Sequence, residues 1–536
     1  MTASTTSATA IEHEMHDLGG QEDLSLPVSS TDDGTSTGIG RLDIKDKTTT
    51  TLEAFWIISI ITGVTFISVS GTGILTTALP RIASDIHLDN DLIFWPASVY
   101  SLSAGCTLLA FGSAADVIGS KRMWLIGSGV SCPLILACGL AQTGVQFILF
   151  RAILGLFVAM CLPTSMSLVT ASFEPGPKRN IAFAATGVGQ PLGYALGLIL
   201  GGVLTDTIGW RWGFYITAVA DGILFVASIF ILPTDRNSKK LSKESWHRFA
   251  HDIDWVGVTL LAVSLGLLSY VLAMITLSYR NIGQAQNIVL LVISLLLLPA
   301  FSYWEDRQVK RQKVALIPNS LWQNLSFTFI CTSMFLTWAG FNAFQYTCTL
   351  FFQEVQHISA LQTSIRFLPM AVTGVLTNVV AGLLVAKVNV NILVGVSAVI
   401  TTIAPILMAI ASPQWTFWAA TFFAITLSPI TSDVLWTVSS LVICRAFPPE
   451  SQALAGGVFN TISQLGNTVG LTITAAIAAS VTRHHKNDTD TSSQTTDQLL
   501  QGYRAGYWTI FAAMMIVWPA SFFGLRKVGK VGLKQD

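Results

Sequence analysis

The sequence predicts an all-α membrane protein of fourteen transmembrane helices, and three observations carry that prediction. Hydrophobic residues make up 51% of the 536 and charged residues only 11%, against roughly 25% charged in an ordinary soluble domain. From about Phe55 onward the apolar residues gather into runs of about 20, the length at which a helix rising about 1.5 Å per residue crosses about 30 Å of hydrocarbon. Lys and Arg then fall mostly between alternate runs, as they do when alternate loops stay in the cytoplasm.

The runs cover residues 55–79, 92–112, 123–141, 145–168, 181–204, 213–232, 255–277, 288–304, 326–351, 365–386, 392–411, 416–443, 453–481 and 505–525. An even number puts both chain ends on one side. Residues 1–53 are rich in Ser, Thr and acids, with no apolar run long enough for a cleaved signal, and read as a disordered cytoplasmic tail. With that tail inside, Lys121, Arg122, Lys178, Arg179, Lys239, Lys240, Lys243, Lys310, Arg311, Arg526 and Lys527 are all cytoplasmic, whereas Arg81, Arg211, Arg280, Arg483, Lys486 and Arg504 remain outside.

Two basic connections divide the runs six, two, six. The expected organisation is the tail 1–53, an N-terminal six-helix half 54–233, a basic cytoplasmic loop with two extra helices 234–304, a cytoplasmic connection 305–325, a C-terminal six-helix half 326–525 and a cytoplasmic tail 526–536. The long last external loop, about 482–504, holds Asn487-Asp488-Thr489, a glycosylation acceptor. Asn324-Leu325-Ser326 has the same pattern but lies inside. His484 and His485 read as solvated loop residues.

Thirty Lys and Arg balance thirty Asp and Glu, so no net field points to nucleic acid. The seven cysteines lie in apolar stretches without paired spacing, which argues against a disulfide scaffold or a metal site. No loop carries a P-loop, nucleophile elbow, metal-binding helix or dinucleotide fingerprint, so no enzyme activity or cofactor is expected. The energy source for any transport has to be a gradient.

Internal repetition is visible in worn form. Gly112-Ser113-Ala114-Ala115-Asp116 ends the second run, and Gly382-Leu383-Leu384-Val385-Ala386 ends the tenth, without the acid. Gly193 and Gly197 likewise have counterparts in Gly466 and Gly470.

Gly112, Asp116, Gly119, Lys121 and Arg122 reproduce a G-x-x-x-D-x-x-G-x-K/R-R loop, and by it the chain resembles the major facilitator superfamily. The resemblance implies a major facilitator fold with pseudo-twofold halves, in which that loop forms a cytoplasmic gate. Arg151 and Gly155 resemble the family's next motif, with Leu154 where Gln is common. Gly189, Gly193, Gly197, Gly201 and Gly202 look like the antiporter motif, although Leu198 stands where Pro is usual. Thr76-Thr77-Ala78-Leu79-Pro80 resembles the fourteen-helix drug:proton antiporters, which usually carry an Asp where this chain has Gly71. Asp254-Trp255-Val256-Gly257, Phe367-Leu368-Pro369 and Ala455-Gly456-Gly457-Val458-Phe459-Asn460 look like the fungal branch of aminotriazole-resistance and low-affinity ammonium transporters.

Charges inside hydrocarbon are costly and therefore functional candidates. Asp433, four residues after Pro429, is the leading proton or substrate residue, approaching Arg151 or a substrate cation in one conformation and an apolar wall in the other. Asp221 reads either as a paired structural acid or as a second carrier, and Arg366 as a cation reaching for the interface. Polar residues at helical spacing mark cavity-lining faces: Gln190 and Tyr194 with Thr186; Trp338, Asn342 and Gln345; Asn460, Gln464 and Asn467. Hydrogen bonding between helices is their competing use.

Three functions stand open. The first is proton-coupled efflux of small organic compounds across the plasma membrane by a monomer whose partners are substrate, protons and lipid. The second is a facilitator or importer of a small solute such as ammonium, and the third a receptor that kept the fold.

Overall fold

The computed structural model describes residues 51–88, 95–233, 253–277, 283–311, 313, 316–317, 319–447, 451–486, 494–526 and 528–530. The expectations for the tail up to residue 50, for Lys239, Lys240 and Lys243, for Asn487, and for the side chains of His484, His485 and Cys444 lie outside the described residues.

Among the described residues fourteen helices are long and apolar enough to cross a membrane. They are α1 (Thr51–Asp85), α2 (Trp95–Ile118), α3 (Ser120–Leu140), α4 (Gly144–Ser172), α5 (Pro177–Asp206), α6 (Arg211–Ile231) and α7 (Trp255–Leu277), followed by α8 (Ala285–Lys310), α9 (Leu325–Leu350), α10 (Leu368–Leu384), α11 (Val390–Ile410), α12 (Ile430–Ala446), α13 (Gln452–Lys486) and α14 (Gln494–Gly524). In hydrocarbon every backbone N–H and C=O needs a partner within the chain, which is why the apolar runs become helices and nothing else.

Several ends run further than hydropathy alone foretold. Residues 51–53, assigned to the tail, form the first turn of α1. Residues 305–310, assigned to a connection, continue α8. Most of the expected external loop 482–504 is helical, because polar first and last turns extend α13 and α14 beyond their apolar windows. Three spans are interrupted. A π-turn, Phe351–Val355, ends α9. Short helices Ala360–Arg366 and Thr421–Leu427 precede α10 and α12, the latter broken at Pro429 as its missing N–H requires.

Apolar burial does not drive helices together in lipid, so close backbone approach has to. The glycine stripe of α5 packs on α1: a Cβ at Gly193 would lie 2.4 Å from the Phe66 carbonyl oxygen, and one at Gly197 only 2.2 Å from that of Ser70. The Ser70 hydroxyl donates to the Gly193 carbonyl at 2.8 Å in the same contact. The C-terminal half repeats the arrangement between α13 and α9, where a Cβ at Gly466 or Gly470 would meet the carbonyl oxygens of Phe335 and Ala339 at 2.4 and 2.3 Å. The worn sequence repeat is therefore a repeat of backbone contacts. The extra pair α7 and α8 is closed on itself by Ser264 and Ser294, whose hydroxyls each donate to the other's carbonyl at 2.9 and 3.1 Å. It rests against α2 and α13.

One apolar cluster, including Ala114, Met123, Phe173, Phe327, Phe447 and Ala453, draws on both halves at the end that carries Asp116. At the opposite end the halves keep separate clusters, one around Phe147, Trp210 and Phe214 and one around Phe344, Phe351 and Tyr507. Tyr194 of α5 reaches across to the second. The outward faces are apolar, as with Val219, Ile223 and Phe230 on α6.

Gly197→Ala is expected to lower the thermal midpoint of the purified protein by several degrees, since forcing a methyl group into a packed contact costs about 1–3 kcal/mol. A Cβ at Gly71 would meet nothing within 4 Å, so Gly71→Ala leaves the midpoint unchanged. Equal midpoints for both variants, measured by tryptophan fluorescence on heating, would refute the packing account.

Candidate functional site

Three features lie where the halves meet or where polar groups are sealed inside. The first is the end of α2. Gly119, at φ 108°, makes the tight turn into α3 with a backbone that L side chains rarely adopt. The turn leaves Asp116 facing the first turn of α13, where its Oδ1 accepts from the Ala453 N–H and its Oδ2 from the Leu454 N–H, both at 2.9 Å. A carboxylate is thus seated on a helix N-terminus of the other half, with unpaired donors and the positive end of the dipole both satisfied. Gly112 permits this approach, since a Cβ there would lie 2.8 Å from the Ala453 carbonyl oxygen. Lys121 caps the end of α6 by donating to the carbonyls of Ile229 and Leu232 at 3.0 and 2.6 Å. Arg122 reaches back to the Ile118 carbonyl at 3.5 Å.

The second feature is the seam between α5, α10 and α12. A Cβ at Gly374 would lie 2.9 Å from Asp433 Oδ2 and 3.0 Å from the Pro191 Cβ, and one at Gly187 would lie 2.1 Å from Asn378 Oδ1. Asp433 thus sits half-buried against the N-terminal half, its N–H bonded to the Pro429 carbonyl at 3.0 Å and its Oδ2 enclosed without a partner. Next to it, Trp436 packs edge-on against Trp338 and Phe459, with centroids 6.1 and 4.7 Å away. Ser165 and Thr186 of the N-terminal half and Trp436, Ser440 and Asn460 of the C-terminal half line one small cleft there.

The polar stripes divide their work. Asn460 donates to the Gly456 carbonyl at 2.9 Å and Asn467 to Gln464 at 3.3 Å, bonds within α13 itself. Gln464 faces Gly105 of α2 across the seam. Gln345 touches the Met370 sulfur at 3.5 Å; Gln190 and Asn342 are half-buried. The stripe of Gly189, Gly193, Gly197 and Gly201 faces α1, inside its own half, while Gly202 faces Leu361.

The third feature is a chamber inside the N-terminal half, between α1, α2, α3, α4 and α6, with Arg151 and Asp221 on its wall. Arg151, 2% exposed, donates from Nε to the Pro96 carbonyl at 3.1 Å and lies 4.3 Å above the Tyr100 ring, with Nη2 unpartnered. Asp221, 3% exposed, has an unpartnered Oδ2. Among the described residues no ion pair joins Asp221, and Arg151 lines one chamber with Asp221. Arg151 meets α2 at Pro96 and Tyr100, and Asp116 lies about 24–30 Å further along that helix at about 1.5 Å per residue. Arg366 donates to Gln356 Oε1 at 2.7 Å between the rings of Phe352 and Phe417.

Sequence reading missed Tyr100, Asn378, Trp436 and Ser440. Position on a helix face signals only a polar or aromatic residue; which neighbour it meets depends on the crossing of helices far apart in sequence.

The Major Facilitator Superfamily model matches residues 61–471 and 333–534. The chain belongs to this superfamily of transporters. It is 44% identical over 522 residues to "MFS-type transporter 1" of Pyricularia oryzae, covering 90% of this chain and 85% of the relative. It is 25% identical over 530 residues to "Efflux pump terJ" of Aspergillus terreus, covering 97% and 96%. The "Low affinity ammonium transporter" of Saccharomyces cerevisiae is 25% identical over 454 residues, 81% of this chain and 83% of that one. Among solved structures the human organic anion transporter MFSD10 (TETRAN) shares the fold, with a TM-score of 0.59 at 13% identity over 87% of this chain and 99% of that one.

A carboxylate at a partly buried helix N-terminus contributes about 1–2 kcal/mol. Asp116→Asn, which loses the charge, is expected to shift the halves toward separation at that end by about 5–30-fold without lowering the amount of folded protein. Maleimide labelling of a cysteine introduced at Ala114, buried in the shared cluster, in a background without native cysteines measures the shift. An unchanged labelling rate would remove Asp116 from the closure.

Proposed function

We propose that the protein exports small organic compounds from the cell in exchange for protons, by alternating access to the cleft between its halves. One observation carries this reading: the halves share a single apolar cluster at the Asp116 end and keep separate clusters at the other. A two-ended molecule closed at one end by a bond worth about 1–2 kcal/mol has a closure that can be released and remade. The Lys and Arg distribution assigns the Asp116 end and both termini to the cytoplasm, so this state faces outward. The relative named "Efflux pump terJ" aligns with nearly the whole chain and supports the direction.

Asp433, Trp338, Trp436 and Asn460 are the substrate-facing residues in this reading. Aromatic rings with amide and hydroxyl groups suit an aromatic or amphipathic solute, because ring faces bury apolar area while a few polar groups fix orientation. Asp433 gives a cationic group on such a solute its partner. The protein acts as a monomer in the plasma membrane. Gly71, in place of an acid on α1, favours a second reading as a facilitator for a solute such as ammonium, the substrate named for one yeast relative.

Inside-out proteoliposomes with an imposed pH gradient distinguish these readings. Export by exchange predicts that rhodamine 6G or aminotriazole accumulates at least tenfold under the gradient and collapses with a protonophore. Facilitation predicts that labelled methylammonium equilibrates but never accumulates. A further test concerns orientation: in protein from a glycosylating host, mass spectrometry is expected to find no sugar on Asn324, and sugar there would invert the assignment.

A further inference from the structure

We infer that the coupling proton binds Asp221, within the chamber of the N-terminal half, and that the space left by Gly71 is the opening through which the chamber exchanges water with the cleft between the halves. The inference rests on the proton-exchange reading above.

The chamber is polar in a way that packing does not explain. It holds one cation, Arg151, and one acid, Asp221, and each keeps an unpartnered polar atom, Nη2 and Oδ2. The Ser131 hydroxyl on the same wall has no partner either. Leaving a buried polar group unsatisfied costs about 1–3 kcal/mol, so three such groups around one cavity are a structural expense unless water occupies the space among them. Polar cavities hold such water, whereas apolar ones stay dry. No ion pair joins Arg151 to Asp221 among the described residues. They are near enough to line one chamber and not so near as to lock each other.

The titratable groups around Asp221 come from three helices: Tyr100 from α2, Cys132 from α3, and Arg151 and Cys161 from α4; α1 offers Ser68 and Gly71. Arg151 is the sole cation among these, and Asp221 the sole carboxyl. The other glycines of this part of α1 and α5 are there for close packing; Gly73, two residues on, would drive a Cβ to 2.5 Å from the Tyr194 carbonyl oxygen. Gly71 differs, since a Cβ there meets nothing within 4 Å and the residue is half-exposed. Its missing side chain therefore leaves volume rather than permitting contact.

Asp433 is less suited to the proton. It sits in the seam beside Gly374, where that glycine meets Pro191 of the other half, and rocking exposes it to substrate. Asp221 sits inside one half and moves with Arg151 as a body. In the outward-facing state water reaching past Gly71 delivers a proton to a carboxylate oxygen of Asp221. When the halves rock, the proton leaves through the same opening to water on the cytoplasmic side, and the carboxylate left behind shares its chamber with the Arg151 cation. Only O–H bonds form and break.

Infrared titration of the full-length protein in lipid nanodiscs reads the proton without any substrate. The titrating protonated-carboxyl stretch is expected to carry one component, read in the difference between spectra, that the parent and Asp433→Asn share and Asp221→Asn loses, while buried Glu305 contributes alike to all three. Arg151→Gln should move the pH at which that component appears, and Gly71→Asp combined with Asp221→Asn should restore such a component. In proteoliposomes, Asp221→Asn should cut gradient-driven accumulation of rhodamine 6G or aminotriazole at least tenfold yet preserve exchange of labelled for unlabelled compound. A protonated-carboxyl titration identical in the parent and in Asp221→Asn, or undiminished uphill transport by that variant, overturns the assignment to Asp221. Absence of gradient-driven accumulation in the parent itself overturns the proton-exchange reading, and the infrared bands then still decide whether Asp221 exchanges a proton.

Discussion

Hydrocarbon offers no partner to a backbone N–H or C=O, and it gives apolar side chains no reason to prefer one another over lipid. The first fact makes every crossing a helix. The second makes helix association depend on how closely backbones can approach, and here glycine decides. The stripe of α5 on α1, and its counterpart of α13 on α9, bring carbonyl oxygens to within 2.2–2.4 Å of where a Cβ would stand. Such contacts tolerate no sliding, so each half moves as a body. Motion is left to the seam.

The seam is held differently. On the Asp116 side it combines glycine approaches, at Gly112, Gly456 and Gly382, with a carboxylate seated on the first turn of α13. Those glycines make a fit that exists only when the halves are together, and the carboxylate adds a bond that water can replace on opening. Toward the other end the approaches across the seam involve side chains instead, as with Gly202 and Leu361. A transporter needs such a difference between interfaces that never part and one that parts on each cycle. The two extra helices are tied to each other by the mutual Ser264 and Ser294 bonds, and α7 touches both α2 and α13.

The number of helices was legible in the sequence because it depends on run length. Helix ends were less so. Hydropathy marks the bilayer, not the helix, and polar turns carry α8, α13 and α14 past their apolar windows. The glycine stripe was legible as a packing face, but which helix it meets was not. Asp433 and Asp221 show the remaining gap most plainly. Both read as buried acids, and depth along the helix is all that sequence supplies. That one faces a seam and the other shares a chamber with Arg151 depends on crossings between α4, α6, α10 and α12, which no single segment encodes. The space at Gly71 was visible only as a missing acid; its meaning as volume needed the neighbours.

Transport in this protein then consists of two rigid halves rocking about a fixed cleft. Spin-label distances in lipid test it most directly, with one pair at Ala171 and Leu325 on the Asp116 end and another at Thr207 and Gln414 on the opposite end, in a background without native cysteines. The account predicts two populations at each end in strict opposition, the short distance at one end accompanying the long distance at the other, with pH changing their proportions. A single distance at both ends under all conditions, or both ends lengthening together, would contradict it.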